Sequence, residues 1–167
     1  EITDFRRIAA CRLSFGAGLN VLYGPNELGK STLAEALRAV LLTPTTSSAV
    51  QAYRPWGTDA VPEVTIVFEH GGTTWRLQKR FALGTRSHTL LERATDTGTF
   101  VEAGRGRGAD GKVREVLAWG LPQLGGRGRA GSSETFLTTA LLATQGEADA
   151  ILKSNLESDA DGSGRAL

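Results

Sequence analysis

Leu19-Asn20-Val21-Leu22-Tyr23-Gly24-Pro25-Asn26-Glu27-Leu28-Gly29-Lys30-Ser31-Thr32 is the stretch that decides how this chain folds. Its opening run, Leu19 to Tyr23, is mostly apolar and stops at a glycine, the pattern of a short buried strand. Gly24 to Ser31 then fits G-x-x-x-x-G-K-[ST] without a gap. Glycines there let the backbone wrap an anion, so that successive N–H groups point inward. Beyond the loop, Leu33, Ala36, Leu37, Val40 and Leu41 recur at the spacing of one helical face, so a helix is expected from Lys30. Its positive N-terminal end would face the same anion. Lys30 supplies a mobile positive charge for the outer phosphates, and the Ser31 hydroxyl is placed to ligate Mg2+.

Working outward, Thr43-Pro44 ends that helix, because a residue preceding proline avoids helical dihedrals. Upstream, Ile2, Phe5 and Ile8 and then Leu13 and Phe15 read as strands, turned at Gly16-Ala17-Gly18. Residues 43–60 are rich in Thr, Ser, Pro and Gly and read as a loop. The period then changes to two. Val64, Ile66 and Phe68 alternate with Thr65 and Val67. After His70-Gly71-Gly72, Trp75, Leu77 and Phe81 alternate with Arg76, Gln78 and Arg80. Strand-like pieces continue at 88–94 and 98–103, so residues 61–103 should form an antiparallel meander. Residues 110–119 read as a short amphipathic helix with Val113, Val116 and Leu117 inward. A further apolar stretch, Phe136 to Leu142, runs to Gln145-Gly146.

Composition sets bounds. The chain has 167 residues, enough for one ordinary core, with 40% hydrophobic and 22% charged residues. No apolar run reaches the roughly 18 residues of a membrane span, and no charged-then-apolar leader opens the chain. A net charge of +1 argues against a uniformly basic coat for nucleic acid. Arginine outnumbers lysine 15 to 4, which suits phosphate recognition by its planar fork but also follows from a GC-rich genome. Cys11 is the single cysteine and excludes an internal disulfide; its apolar neighbours suggest a small buried thiol. His70 and His88 have no metal-ligand spacing around them and are expected at the surface.

Asp4-Phe5-Arg6, the run Leu19 to Asn26, and Leu142-Ala143-Thr144-Gln145-Gly146-Glu147 together resemble ABC-type ATPase heads of the SMC-like group, which includes SbcC and RecF. The loop form Gly-Pro-Asn-Glu-x-Gly-Lys-Ser-Thr resembles coiled-coil AAA-named ATPases of that group, with Leu28 departing from the small residue usual there. The resemblance implies an α/β P-loop NTPase fold, a mixed sheet plus the antiparallel meander. It implies an N-terminal lobe over residues 1–152, with phosphate loop 24–32 and Q-loop 142–147, and a polar segment 153–167 leading toward a coiled coil. ATP and Mg2+ are the implied cofactors. Arg6, Gly24, Asn26, Glu27, Gly29, Lys30, Ser31, Thr32 and Gln145 would contact nucleotide, Ser31 and Gln145 would ligate Mg2+, and Lys30 and Gln145 would serve catalysis.

The implied partners are the C-terminal lobe of the same head, a second head in a homodimer, double-stranded DNA and a nuclease subunit, in the cytoplasm and away from membranes. The implied activity is ATP hydrolysis coupled to DNA repair, chromosome organisation or defence. The signature motif and catalytic glutamate are expected beyond this chain, so the fragment alone should turn ATP over negligibly. Arg105, Arg107, Arg127 and Arg129, in Gly-Arg-Gly-Arg settings, are either flexible surface loops or contacts to DNA phosphates. Two other readings stand beside this one: a free-standing P-loop kinase or small NTPase that does not act on DNA, and a binding module in which ATP is structural.

Overall fold

A computed structural model describes residues 1–25 and 28–117. Six strands form one sheet: β1 (Ile2–Phe5), β2 (Ile8–Cys11), β3 (Glu63–His70), β4 (Thr73–Arg80), β5 (His88–Ala94) and β6 (Phe100–Arg105). Their spatial order is β2-β1-β3-β4-β5-β6, and every neighbouring pair is antiparallel. The meander expected at 61–103 is therefore present. The parallel half of a mixed sheet is not seen among the described residues.

Alternation explains the sheet. Val64, Leu77 and Leu91 sit on adjacent strands and are buried, with Ile66, Phe68 and Trp75 packed around them. The opposite face carries Arg76, Gln78 and Arg80. Arg76 donates to Glu92 at 2.6 Å and lies 4.1 Å from the centre of the Phe100 ring. Arg80 and Gln78 both reach Glu63, at 2.9 and 2.7 Å. Such cross-strand pairs fix register more than they stabilise, at about 0.2–1 kcal/mol each.

Two helices cover the apolar face. α1 (Lys30–Leu42) begins and ends where expected and buries Ala36, Ala39 and Val40 against β1, β3 and β4. α2 (Gly106–Leu117) starts four residues earlier than its sequence suggested, burying Ala109, Asp110, Val113 and Leu117, with Val116 only half-buried. Three glycines in its first half give it poor intrinsic helicity, so its packing on β5 and β6 holds it. Gly104 on β6 makes that packing possible. A Cβ there would stand 3.1 Å from the Ala109 backbone. Gly104→Val should push α2 off the sheet and cost about 1–3 kcal/mol, read as a lower denaturation midpoint; an unchanged midpoint would show that α2 can ride further out.

Three expectations need correction. The segment 43–60 is not structureless: Ser48–Tyr53 forms a 3-10 helix, started by Ser47, whose hydroxyl accepts from the Ala49 amide at 3.2 Å. Tyr53 stacks on Phe5 at 4.9 Å and meets Phe81 edge-on at 5.2 Å, so this piece closes one end of the core. Cys11 is half-buried rather than enclosed, because β2 is an edge strand. Arg105 and Arg107 are not in a flexible loop: Arg105 ends β6 and pairs with Glu102 at 2.7 Å, and Arg107 opens α2.

The core also contains a charge. Lys79 sits on the inward face of β4 with its side chain 1% exposed; its Nζ pairs with Asp110 Oδ1 of α2 at 2.7 Å and donates to the Thr43 carbonyl at 3.0 Å. Burial drives the Lys79 pKa below its usual value near 10.5; Asp110 pulls it back up, and Arg114, one turn further along α2, lowers it again. The unfolded chain holds this proton up to about pH 10.5 while the folded chain releases it sooner, so unfolding takes up a proton in that window and stability rises with pH. The stability deficit of the wild type relative to a Lys79→Met/Asp110→Leu variant should therefore shrink as pH approaches 10.5 in paired denaturant titrations. A widening deficit would contradict this sign.

Candidate phosphate-binding site

The turn that delivers the loop is clamped by one side chain. Asn20 accepts from the Gly16 amide at 3.0 Å and donates to the Gly16 and Gly18 carbonyls at 2.9 and 3.1 Å, with Gly18 at φ 85°. The run behind it differs from expectation. Residues 12–25 form no strand, and Leu19, Val21 and Tyr23 are 91%, 70% and 86% exposed. An apolar strand is buried only when other elements supply a paired edge and a cover. The described sheet, with β2 at its edge, supplies neither to this run.

The loop itself is held by glycines at the two positions where the pattern puts them. At Gly24 a Cβ would meet Leu28 Cδ2 at 2.6 Å, so the bulky Leu28, which is itself largely exposed, folds across Gly24. At Gly29 the backbone takes φ 90°, ψ 12°, a left-handed turn that favours glycine, and β2 supports it from below through Ile8. Gly29 is also the residue that precedes α1. The first helical bond runs from the Leu33 amide to its carbonyl at 2.9 Å. A glycine in that place has no side chain to accept from the first-turn amides, and no acidic residue lies in that turn. The helix end thus keeps its partial positive charge for an external anion.

Lys30 bends back over the loop. Its Nζ donates to the Gly24 carbonyl at 2.8 Å and the Pro25 carbonyl at 2.6 Å, which places the ammonium above the loop's own first residues. Ser31 is exposed at the second helical position and Thr32 is half-buried. Arg6 occupies the tight turn between β1 and β2 in a left-handed conformation, φ 52°. Its guanidinium pairs with Glu35 of α1 at 2.7 Å and donates to the Ala52 carbonyl at 3.2 Å. Arg6 thus braces α1 from the side, one turn beyond Ser31, rather than joining the loop. Asn26, Glu27, Gln145, Arg127 and Arg129 lie outside the described residues, as do the Q-loop 142–147 and the segment 153–167.

A cleft of about 680 Å³ runs beside α1, lined by Leu13, Phe15, Leu33, Leu37, Ile66 and Phe68 among others. It is mainly apolar and contains none of the loop residues. Among the described residues no three His, Cys, Asp or Glu side chains converge on a metal position, and no helix is long and apolar enough to cross a membrane.

A family profile described as an AAA domain matches residues 1–83, which include the loop, α1 and both strands of the β3–β4 hairpin. The chain is 29% identical over 119 residues to the DNA double-strand break repair Rad50 ATPase of Methanopyrus kandleri. It is 53% identical over 36 residues to the DNA replication and repair protein RecF of Magnetococcus marinus. Together the profile and the two relatives support an SMC-like, SbcC/RecF-type ABC ATPase N-terminal head region. The Rad50 similarity covers 70% of this chain and 14% of that protein; the RecF similarity covers 22% and 9%. The chain therefore spans a small fraction of the length of the relatives it matches.

Lys79 and Asp110 were missed by motif reading, although the signal was present. Lys79 has the same parity as Trp75, Leu77 and Phe81, and Asp110 shares the helical face of Val113 and Leu117. A charged residue on an apolar face, matched by one of opposite sign on another, is the pattern to search for.

Proposed function

We propose that this head region binds ATP with Mg2+ at residues 24–32. In this reading it is the ATP-binding half of an SMC-like ABC-type ATPase that acts on DNA. The observation that carries the reading is the loop-to-helix junction, where left-handed Gly29, the α1 N-terminus and the Lys30 ammonium converge. Peptide amides and a cation in that arrangement suit a triphosphate, with Lys30 answering the charge of the outer phosphates. The residues fit Mg2+ as such loops hold it: the exposed Ser31 hydroxyl as one ligand, with phosphate oxygens and water completing the shell. Bound Mg2+ would neutralise charge on the outer phosphates. Gln145 is assigned as a second ligand on the strength of the resemblance.

Hydrolysis is assigned to the complete head only. A C-terminal lobe would provide the group that positions water, and a second head would close over the nucleotide. The exposed run Leu19 to Tyr23 is consistent with a surface awaiting such a lobe. ATP would then join two heads and its loss would release them, a switch driven by unequal affinity for the two states. Double-stranded DNA and a nuclease subunit are the proposed partners, in repair, chromosome organisation or defence, in the cytoplasm. The antiparallel sheet weighs against a free-standing kinase or small NTPase, whose sheet would be mostly parallel.

The test is calorimetric titration of ATP-Mg2+ into the full-length protein, followed by light scattering with and without nucleotide. Binding together with ATP-dependent dimerisation is expected. A full-length protein that binds no nucleotide would sink the reading, and one that binds ATP yet stays monomeric would favour the structural-ATP alternative.

A further inference from the structure

The buried ion pair sits at the opposite end of α1 from the phosphate loop, and no step of the proposed function uses it. α1 has 13 residues and so is about 20 Å long. Its N-terminus carries Lys30 and Ser31. The chain just past its C-terminus is held at three points by buried or half-buried groups. Lys79 Nζ donates to the Thr43 carbonyl at 3.0 Å, the Thr43 hydroxyl meets Tyr53 OH at 2.9 Å, and Thr45 and Thr89 hydroxyls meet at 3.1 Å. Of these three, the first extends to α2, because the same Nζ pairs with Asp110 at 2.7 Å.

Stability is a poor reason to keep this pair. Two charges taken out of water are commonly no better than well-packed apolar side chains of the same volume. What an ion pair adds is direction: it is satisfied in one relative placement of its partners and not in neighbouring ones. Here the partners are β4, the end of α1 and α2. An apolar contact at the same place would tolerate a small slide or rotation of α1, and a rigid helix carries such a movement to its other end.

We propose that Lys79 is a positioning residue for the phosphate site, registering α1 against α2 through Asp110 and the Thr43 carbonyl so that the helix N-terminus and Lys30 stand in place for the triphosphate. The inference rests on the reading of residues 24–32 as that site. It also makes α2 a lever on nucleotide binding, since displacing Asp110 would release the far end of α1.

The experiment compares full-length wild type with K79M/D110L, D110N and K30A, measuring melting temperature, ATP-Mg2+ affinity and amide hydrogen exchange at residues 30–33. The double variant should fold with a melting temperature at or above wild type, yet bind ATP-Mg2+ at least tenfold more weakly, with faster nucleotide-bound exchange at 30–33. D110N keeps an acceptor oxygen for Lys79 and should bind within threefold of wild type. If K79M/D110L binds within twofold of wild type, or fails to fold, the inference is overturned and the pair is purely structural. K30A separates this from failure of the underlying reading: if K30A binds ATP as wild type does, the site itself is misassigned.

Discussion

Lys30→Ala in the full-length protein is expected to weaken ATP-Mg2+ binding about 10- to 150-fold, the range for losing one charge-assisted contact worth about 1.5–3 kcal/mol. Turnover should fall further, by about 10²–10³, because the ammonium answers charge that grows on the outer phosphates as the bond breaks. The structure gives the reason for the direction. Nζ is fixed over the loop by the Gly24 and Pro25 carbonyls, so alanine removes the cation without disturbing the buried face of α1, which is made by Ala36, Ala39 and Val40. The variant should melt like the wild type. Equal affinity in a folded variant would remove the phosphate assignment, whereas lost affinity with lost folding would say nothing about phosphate and would instead show that the loop bonds hold the core.

The largest stability effect should come from elsewhere. Asp110→Ala leaves the Lys79 ammonium buried without its counter-charge, and breaking one side of such a pair costs about 3–5 kcal/mol. That is a large share of the roughly 5–15 kcal/mol by which a domain is stable. The Thr43 carbonyl still accepts from Nζ, but one neutral acceptor cannot replace a carboxylate at 2.7 Å. Urea denaturation of the variant and wild type would measure it, and a loss under about 1 kcal/mol would mean that water reaches Nζ. Arg105→Ala, which breaks the open pair with Glu102, serves as the control and should leave the midpoint unchanged.

The parts of the fold that the sequence revealed are those whose pattern is local. α1 was legible because five apolar residues repeat at helical spacing between a glycine and Thr43-Pro44, and the β3–β4 hairpin because its residues alternate across Gly71-Gly72. The loop was legible because glycine is required at 24 and 29 by backbone shape. What failed depended on partners distant in the chain. Leu19 to Tyr23 has a strand's composition, but composition cannot name the edge it pairs with. The contact of Arg6 with Glu35 on the flank of α1 was likewise not legible, because the two lie far apart in sequence. The 3-10 helix at 48–53 is too short for periodicity and is set by a serine cap and by Tyr53 filling the space between Phe5 and Phe81. Lys79 and Asp110 lie 31 residues apart and make sense only once α2 is laid over β5 and β6, within reach of Lys79 on the adjacent β4.

The outward-facing leucine, valine and tyrosine ahead of the phosphate loop also bear on how such a protein is made. If the lobe that would cover them is encoded far downstream, as the proposed arrangement requires, a ribosome translating about 5–20 residues per second leaves them bare for the whole interval. Nascent chains on one messenger would carry the same adhesive segment side by side. Ribosome-bound holding factors, or early closure of two heads on a shared polysome, would then decide yield more than the intrinsic strength of the sheet does.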